Sequence, residues 1–184
     1  PRIPYAQAML DYGTDKPDLR NPLIIRDVTD EFNESGFGLF EKIVGTGGVV
    51  RLIPAPNTAG LSRKFFDEMN EWARAEGHAG LGYATRKGGE FGGPIAKNHG
   101  ADRMAALWDA LGLGPDDGAF FAAGKEDQAA KLAGAARTRV GETLDLIEKD
   151  AFRFCWIVDF PFYEWDEENK RPDFAHNPFS MPQG

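Results

Sequence analysis

The chain has 184 residues and a mass of 20.2 kDa, enough for one domain with a sizeable core or for one domain plus part of another. Hydrophobic residues make up 42%, charged residues 27% and aromatic residues 12%, which disfavours collagen-like, coiled-coil and disordered classes. The net charge of −8 and the pI near 4.9 disfavour a chain that coats nucleic acid or an anionic membrane by itself.

Cys155 is the only cysteine, so an internal disulfide or a cysteine zinc site is excluded and a reducing, cytoplasmic location is expected. The longest apolar stretch, residues 152–162, is interrupted by Arg153, Asp159 and Pro161. It is shorter than the roughly 20 residues of a membrane helix, so no membrane partner is expected. The chain opens without Met and closes in a proline-rich run, and we expect both ends to continue into a longer protein.

The first half of the chain predicts helices and strands in alternation. Residues 5–12 predict a short helix, and the prolines at 17 and 22 make residues 13–21 a linker. Aromatic and β-branched content predicts strands at 37–44 and 49–54, joined as an antiparallel hairpin by four residues that are mostly glycine. Ser62 is placed to cap a helix over 65–73 with a 3.6-residue apolar period, which Gly77 ends.

The second half continues with two short strands, at 81–85 and 91–97, around a glycine turn. A helix with apolar positions from 104 to 111 ends at Gly112, a strand covers 119–123, and a helix covers 125–148. The aromatic run 152–160 is typical of a strand buried on both faces in a large sheet, with neighbours that lie beyond this chain. The charged residues at 164–171 indicate a hairpin tip.

The fold class is therefore α+β, a two-layer unit with an antiparallel sheet and packed helices. We expect this unit at residues 22–123, with residues 1–21 and 124–184 belonging to a neighbouring domain.

Common catalytic motifs are missing from the sequence. The glycines form neither a G-x-x-x-x-G-K-[ST] loop nor a G-x-G-x-x-G loop, and Ser62 lacks the closing glycine of a nucleophile elbow. His78, His99 and His176 do not have zinc-ligand spacing, and surface roles suffice for the first two. No catalytic residue, metal ligand or cofactor ligand is assigned within this chain.

His176 and Asn177 are the candidate binding residues. They lie in the segment DFAHNPFSMPQ, residues 173–183, directly after the predicted hairpin. A histidine beside an asparagine offers several N–H donors, which suits a small carboxylate ligand better than a metal, although an ordinary surface loop remains the alternative. The basic pairs 63–64 and 86–87, with Lys97, are either phosphate contacts or solvated surface charges.

Three segments together resemble bacterial-type aspartyl-tRNA synthetases. They are PRIPYA with GTDKPDLR at residues 1–20, FRFCWIVDFP at 152–161, and FAHNPF at 174–179. The sequence between them is similar to the GAD insertion domain that this family carries between its class II motifs two and three. The resemblance implies that the flanks are pieces of the antiparallel catalytic sheet of a class II synthetase.

The same resemblance implies the activity of the whole protein. A cytoplasmic homodimer would activate L-aspartate with ATP and Mg²⁺ and transfer it to tRNA(Asp), whereas this fragment would be inactive alone. His176 matches a histidine that contacts the amino acid, and Asn177 stands where the family often has a second histidine. The alternatives are the GAD module of a B-type subunit of a tRNA-dependent amidotransferase, and a non-catalytic module that binds tRNA or protein.

Overall fold

The computed structural model describes residues 1–33, 35–36, 38–166 and 169–175. The helices are α1 (Tyr5–Tyr12), a 3₁₀ helix (Thr29–Phe32), α2 (Gly38–Gly45), α3 (Arg63–Ala75), α4 (Gly93–His99), α5 (Ala101–Leu111) and α6 (Glu126–Thr143). The strands are β1 (Arg2–Pro4), β2 (Arg26–Asp27), β3 (Val49–Ala55), β4 (Gly82–Lys87), β5 (Glu90–Gly92), β6 (Gly118–Gly124), β7 (Trp156–Val158), β8 (Tyr163–Asp166) and β9 (Arg171–Phe174).

A five-stranded antiparallel sheet with the order β2-β3-β6-β4-β5 forms the centre of the molecule. β6 lies in the middle, paired with β3 over seven residues and with β4 over four. Phe120 and Phe121, adjacent on β6, point to opposite faces and are 0% and 1% exposed. Because both faces of this strand are apolar, each face needs a helical cover.

Helices cover both faces of the sheet. One core packs α3 and α6 against Ile53 and Phe120, and the other packs α2, α4 and α5 against Leu52 and Phe121. The α+β class with an antiparallel sheet and packed helices is confirmed. Counting the sheet itself, the fold has three layers, one more than predicted, because helices pack on both faces of the sheet.

The predicted strand at 37–44 is wrong, since the described part of this segment forms α2. Phe40, Ile43 and Val44 contribute to the second core, and their spacing of three and four residues places them on one helical face. The strand β3 is confirmed, but its partners are β2 and β6. The glycine turn has its positive φ of 83° at Gly47, where it joins a helix to a strand.

The predicted strand at 91–97 is also wrong beyond its first residues. β5 ends at Gly92 and α4 begins at once, with Pro94 in its first turn, where the missing N–H of proline costs nothing. Ile95, Ala96 and His99 of α4 are buried in the second core region. The helices α1, α3 and α5 are confirmed, and Ser62 precedes α3, although its side chain makes no capping hydrogen bond.

The helix predicted over 125–148 ends earlier, at Thr143, because Leu144 to Ile147 turn away from the helical path and Asp145 has a φ of 52°. The run 152–160 contains only the three-residue strand β7. The hairpin predicted around 164–171 is present as β8 and β9.

β7 pairs with β1, and the two strands run parallel, with Arg2 opposite Trp156 and Pro4 opposite Val158. An antiparallel arrangement was predicted for the flanking sheet, so this pair differs from it. Parallel neighbours require a long crossover connection. Here the five-stranded sheet and its helices α2–α6 form that crossover, and for this reason we call them the inserted domain. We call α1, the β1–β7 pair and the β8–β9 hairpin the flank.

Two glycines let α1 approach α6 closely. Gly13 follows α1 with a φ of 68°, and a Cβ on it would lie 2.6 Å from Gly134 N and 2.7 Å from Gly134 Cα. A Cβ on Gly134 would lie 2.9 Å from the carbonyl oxygens of Tyr12 and Gly13. No side chain fits between the two backbones, so the flank meets the inserted domain in direct main-chain contact.

His99 is buried at the end of α4, contrary to its predicted surface role. It is 4% exposed, its ring lies 4.5 Å from that of Phe32, and neither ring nitrogen has a hydrogen-bond partner among the described residues. Burial lowers the pKa of His99, and the charge of Arg103 lowers it further. The folded chain therefore favours the neutral imidazole at neutral pH.

This burial predicts that acid weakens the fold in the range where histidine titrates. As the pH falls below about 6.5, the unfolded chain binds a proton at His99 before the folded chain does, so the free energy of unfolding decreases by up to ~1.4 kcal/mol per pH unit. We expect His99→Phe to flatten this part of the pH dependence, measured by urea denaturation between pH 7.5 and 5.5. His78→Gln is the control, and an unchanged profile in His99→Phe would contradict the assignment.

Candidate functional site

The candidate binding residues His176 and Asn177 lie outside the described residues. The residue before them is described. Ala175 donates its backbone N–H to Phe162 O over 3.1 Å, which extends the β8–β9 pairing at the open end of the hairpin. Ala175 also lines a cleft of about 320 Å³ with Gly13, Lys131 and Glu164. The described chain therefore reaches the edge of this cleft immediately before the candidate residues.

The β8–β9 hairpin is amphipathic. Tyr163 stands opposite Phe174 and Trp165 opposite Pro172, so these four residues share one face, while residues 164, 166, 171 and 173 share the charged face. Tyr163, Trp165 and Phe174 are 58%, 57% and 50% exposed. Since these large rings are uncovered within the described residues, the hairpin presents an apolar face.

A second exposed apolar row precedes it. Phe152, Phe154 and Trp156 alternate along the chain and are 85%, 81% and 75% exposed, with the first two rings stacked at 6.1 Å. The sequence predicted burial on both faces here, and the described residues leave one face open. Rows of uncovered aromatic side chains mark surfaces that other protein covers, because soluble proteins rarely expose large apolar patches.

A larger cleft of about 800 Å³ lies between the flank and the inserted domain. Tyr5 and Met9 of α1 form one wall, and the start of α6 forms another. Asp159 and Pro161 close it from the flank, held by the contact of the Tyr5 and Phe160 rings at 5.2 Å. The lining is mostly apolar, as in sites for small organic ligands.

The charges of this cleft are mainly negative. Glu126, Asp127 and Asp159 line it. Among the described residues its only lining cation is Arg51, which pairs with Asp27 and lies 3.7 Å from Glu126. Burial raises the pKa of Asp27, but hydrogen bonds from Thr29 and Arg51 outweigh it and hold this pKa below its ordinary value. A polyphosphate would meet more negative than positive charge here.

Three of the five basic residues considered as phosphate contacts are paired with carboxylates. Arg63 pairs with Asp67 at 3.2 Å, Lys64 with Glu68 at 3.6 Å, and Arg86 with Asp109 at 3.0 Å. The first two are i,i+4 pairs on the exposed face of α3. This arrangement favours solvated surface charges over a phosphate site.

The described residues contain no cluster of three histidine, cysteine or acidic side chains that could hold a metal ion. A helix with the length and apolarity to cross a bilayer is likewise not found among them.

Sequence reasoning missed two buried arginines. Arg51 on β3 and Arg137 on α6 are 4% and 2% exposed. A signal was available for the second, because position 137 lies inside the apolar stripe formed by Ala133, Ala136 and Val140. A cation in the middle of such a stripe indicates a buried polar contact.

Comparison with known proteins covers the whole chain. Residues 40–133 match the family model described as the GAD domain. The "Aspartate--tRNA(Asp/Asn) ligase" of Novosphingobium aromaticivorans is 83% identical over 184 residues, 100% of this chain and 31% of that protein. The proteins of the same name from Erythrobacter litoralis and Zymomonas mobilis are 76% and 67% identical over 100% of this chain, which covers 30% and 31% of them. The chain thus spans about a third of the length of these relatives.

Proposed function

Since this chain belongs to the GAD domain family, we propose that it is the inserted domain, with flanking catalytic segments, of an aspartate–tRNA ligase. The observation that carries the proposal is the identity of 67–83% to ligases over the entire chain, flanks included. The uncovered aromatic rows of the flank support it, since a catalytic domain that continues beyond this chain would cover them.

The proposed reaction activates L-aspartate with ATP to aspartyl adenylate and then transfers the aspartyl group to the terminal ribose of tRNA. The names of the relatives give tRNA(Asp/Asn), and we extend both tRNAs to the protein that contains this chain. We also propose that this protein is a cytoplasmic homodimer. The ligase names of these relatives favour this function over that of an amidotransferase subunit.

The described residues do not fit ATP and Mg²⁺. Adenylate formation needs cations aimed at the phosphates, and the cations that line the two clefts beside the flank are Arg51 and Lys131, each accompanied by carboxylates. We therefore propose that residues outside this chain supply the cations that stabilise the attack of the L-aspartate carboxylate on the α-phosphate, with pyrophosphate as the leaving group. We propose that this chain contributes residues that bind L-aspartate.

His176 and Asn177 are the proposed aspartate contacts. Both side chains donate hydrogen bonds, and a histidine that is protonated adds a charge-assisted bond to a carboxylate. Asn177 is a neutral amide, so its donor capacity does not change with pH. The hairpin end at Ala175, bonded to Phe162, would anchor the loop that carries them.

The domain boundaries also remain a proposal. We divide the chain into a linker at 1–21, an inserted domain at 22–123 and a returning segment at 124–184. The packing of α6 against Ile53 and Phe120 argues for extending the inserted domain through Thr143.

The test measures aspartate-dependent ATP–pyrophosphate exchange and tRNA aminoacylation with the longer protein that contains this chain. We expect His176→Ala to raise the KM for aspartate about tenfold, the worth of one hydrogen bond to a charged group, and to leave the KM for tRNA unchanged. The 184-residue chain alone is expected to show no exchange.

The matched control is His78→Ala, the same substitution beyond the end of α3, which should leave both KM values unchanged. Unaltered aspartate kinetics in His176→Ala would remove the assignment of the loop. Failure of the longer protein to exchange pyrophosphate in the presence of aspartate would overturn the ligase function itself.

A further inference from the structure

The chain crosses between the flank and the inserted domain twice, and the two crossings touch. The incoming crossing, residues 13–25, follows α1, and the outgoing crossing, residues 144–150, follows α6. The backbone N–H of Glu148 donates to Arg20 O over 3.1 Å, which joins the two. The incoming crossing is also tied to α1, since the Ile25 N–H donates to Asp11 O over 2.8 Å.

Arg137 of α6 holds the incoming crossing from beneath. Its Nε donates to Leu23 O over 2.6 Å, and its Nη2 donates to Asn21 O over 2.7 Å and to Asp18 O over 3.0 Å. The guanidinium also lies 4.9 Å from the centre of the Tyr12 ring at the end of α1. One side chain therefore contacts the last turn of α1 and three successive parts of the connection.

Asn21 of the incoming crossing makes a return hydrogen bond to the backbone of α6. It is 3% exposed, and its Nδ2 donates to Arg137 O over 3.0 Å, while its Oδ1 accepts the N–H of Leu23 over 3.1 Å. Gly141, one turn further along α6, leaves room for this amide, because a Cβ there would lie 2.8 Å from Asn21 Cγ. The contact between the crossing and α6 is thus reciprocal and closely fitted.

The burial of the Arg137 guanidinium is not explained by stability alone. Arg137 is not in an ion pair in the part of the chain that the structure describes; its side-chain hydrogen bonds there go to carbonyl oxygens. A buried charge is weak evidence for stability, because the desolvation of the ion offsets much of what its contacts contribute. The planar guanidinium donates to three carbonyl groups at once and so fixes the geometry of the crossing. A lysine or an apolar side chain could not make this set of hydrogen bonds.

We propose that Arg137 is a positioning residue that locks the two chain crossings into one rigid joint, so that the inserted domain keeps a fixed orientation to the flank. The inference concerns the joint itself and holds for this chain whether or not the ligase function does. In a ligase, the joint would fix the inserted domain beside the segment that carries the substrate loop.

The test is amide hydrogen exchange of the full chain, read at the amides of Leu23, Ile25 and Glu148. In Arg137→Met we expect these amides to exchange at least about tenfold faster. The carbonyl groups of the crossing lose their guanidinium donor, so the crossing opens locally. The amides of the β3–β6 pair should keep their rates. Arg137→Lys should lie between wild type and Arg137→Met, since an ammonium cannot reproduce this set of hydrogen bonds.

Arg139→Met is the matched control, because Arg139 is an exposed arginine of the same helix that lies over Trp72 at 5.0 Å. It should change none of these rates. Asn21→Ala opens the joint from the other side without altering α6, and the same local acceleration is expected if Arg137→Met does not fold.

Three results would overturn the proposal. The first is unchanged protection of the three amides in both Arg137→Met and Asn21→Ala. The second is an equal acceleration in the β3–β6 pair, which would make Arg137 a residue of global stability. The third is wild-type exchange in Arg137→Lys, which would show that charge alone suffices.

Discussion

Replacing Gly13 by alanine is expected to weaken the docking of α1 on α6 by about 3 kcal/mol. Gly13 adopts a φ of 68°, which costs an L-residue ~1–2 kcal/mol. The added Cβ would also lie 2.6 Å from Gly134 N, and forcing such a contact costs ~1–3 kcal/mol more. Hydrogen exchange at the Ile25 amide, bonded to Asp11 of α1, should accelerate roughly a hundredfold.

Gly112→Ala is the matched control for this prediction. Gly112 caps α5 with a φ of 65°, nearly that of Gly13, but a Cβ there meets nothing within 4 Å. Its substitution should cost only the ~1–2 kcal/mol of the backbone conformation. If the two variants were equally affected, the close approach of Gly13 to Gly134 would have no energetic weight.

Replacing Phe120 by alanine is expected to lower the free energy of unfolding by ~3–5 kcal/mol. The ring is fully buried in the central strand, and its centre lies 6.0 Å from that of Phe65 and 5.5 Å from that of Phe66. Its removal leaves a cavity between the sheet and α3 that a close-packed core cannot fill. Urea denaturation followed by circular dichroism measures the loss.

Phe154→Ala removes the same atoms from the open row of the flank. Phe154 is 81% exposed, so its loss should change the stability of this chain by no more than ~0.5 kcal/mol. A cost comparable to that of Phe120→Ala would mean that something covers the row in solution. In the longer protein, by contrast, a larger cost is expected if the catalytic domain packs there.

The sequence predicts an element well where one structure satisfies its whole pattern. Phe66, Met69 and Ala73 mark α3 because their spacing fits only a helix. Phe40, Ile43 and Val44 misled the prediction, since their β-branched and aromatic character favours a strand while their spacing favours the helix that forms. Packing against the second core decides between the two, and that packing is not visible locally.

The aromatic run after residue 151 shows a different limit. Apolar composition predicts burial of Phe152, Phe154 and Trp156, whereas these three side chains are exposed within the described residues. The burial of Arg137 is also not predictable locally, because its hydrogen-bond partners lie 114 to 119 residues away in the chain. For the candidate site, local chemistry singled out His176 and Asn177, and their placement stays a prediction.

The parallel pairing of β1 with β7 has a consequence for biosynthesis. β1 leaves the ribosome before β7, and roughly 150 residues must follow it before this partner is made, many seconds later at ordinary rates of elongation. Its pairing also requires closure of a long loop, which is entropically costly unless the intervening chain is already folded. The five-stranded unit should therefore mature first during translation and bring the two edges together, acting as an internal template for the sheet that it interrupts.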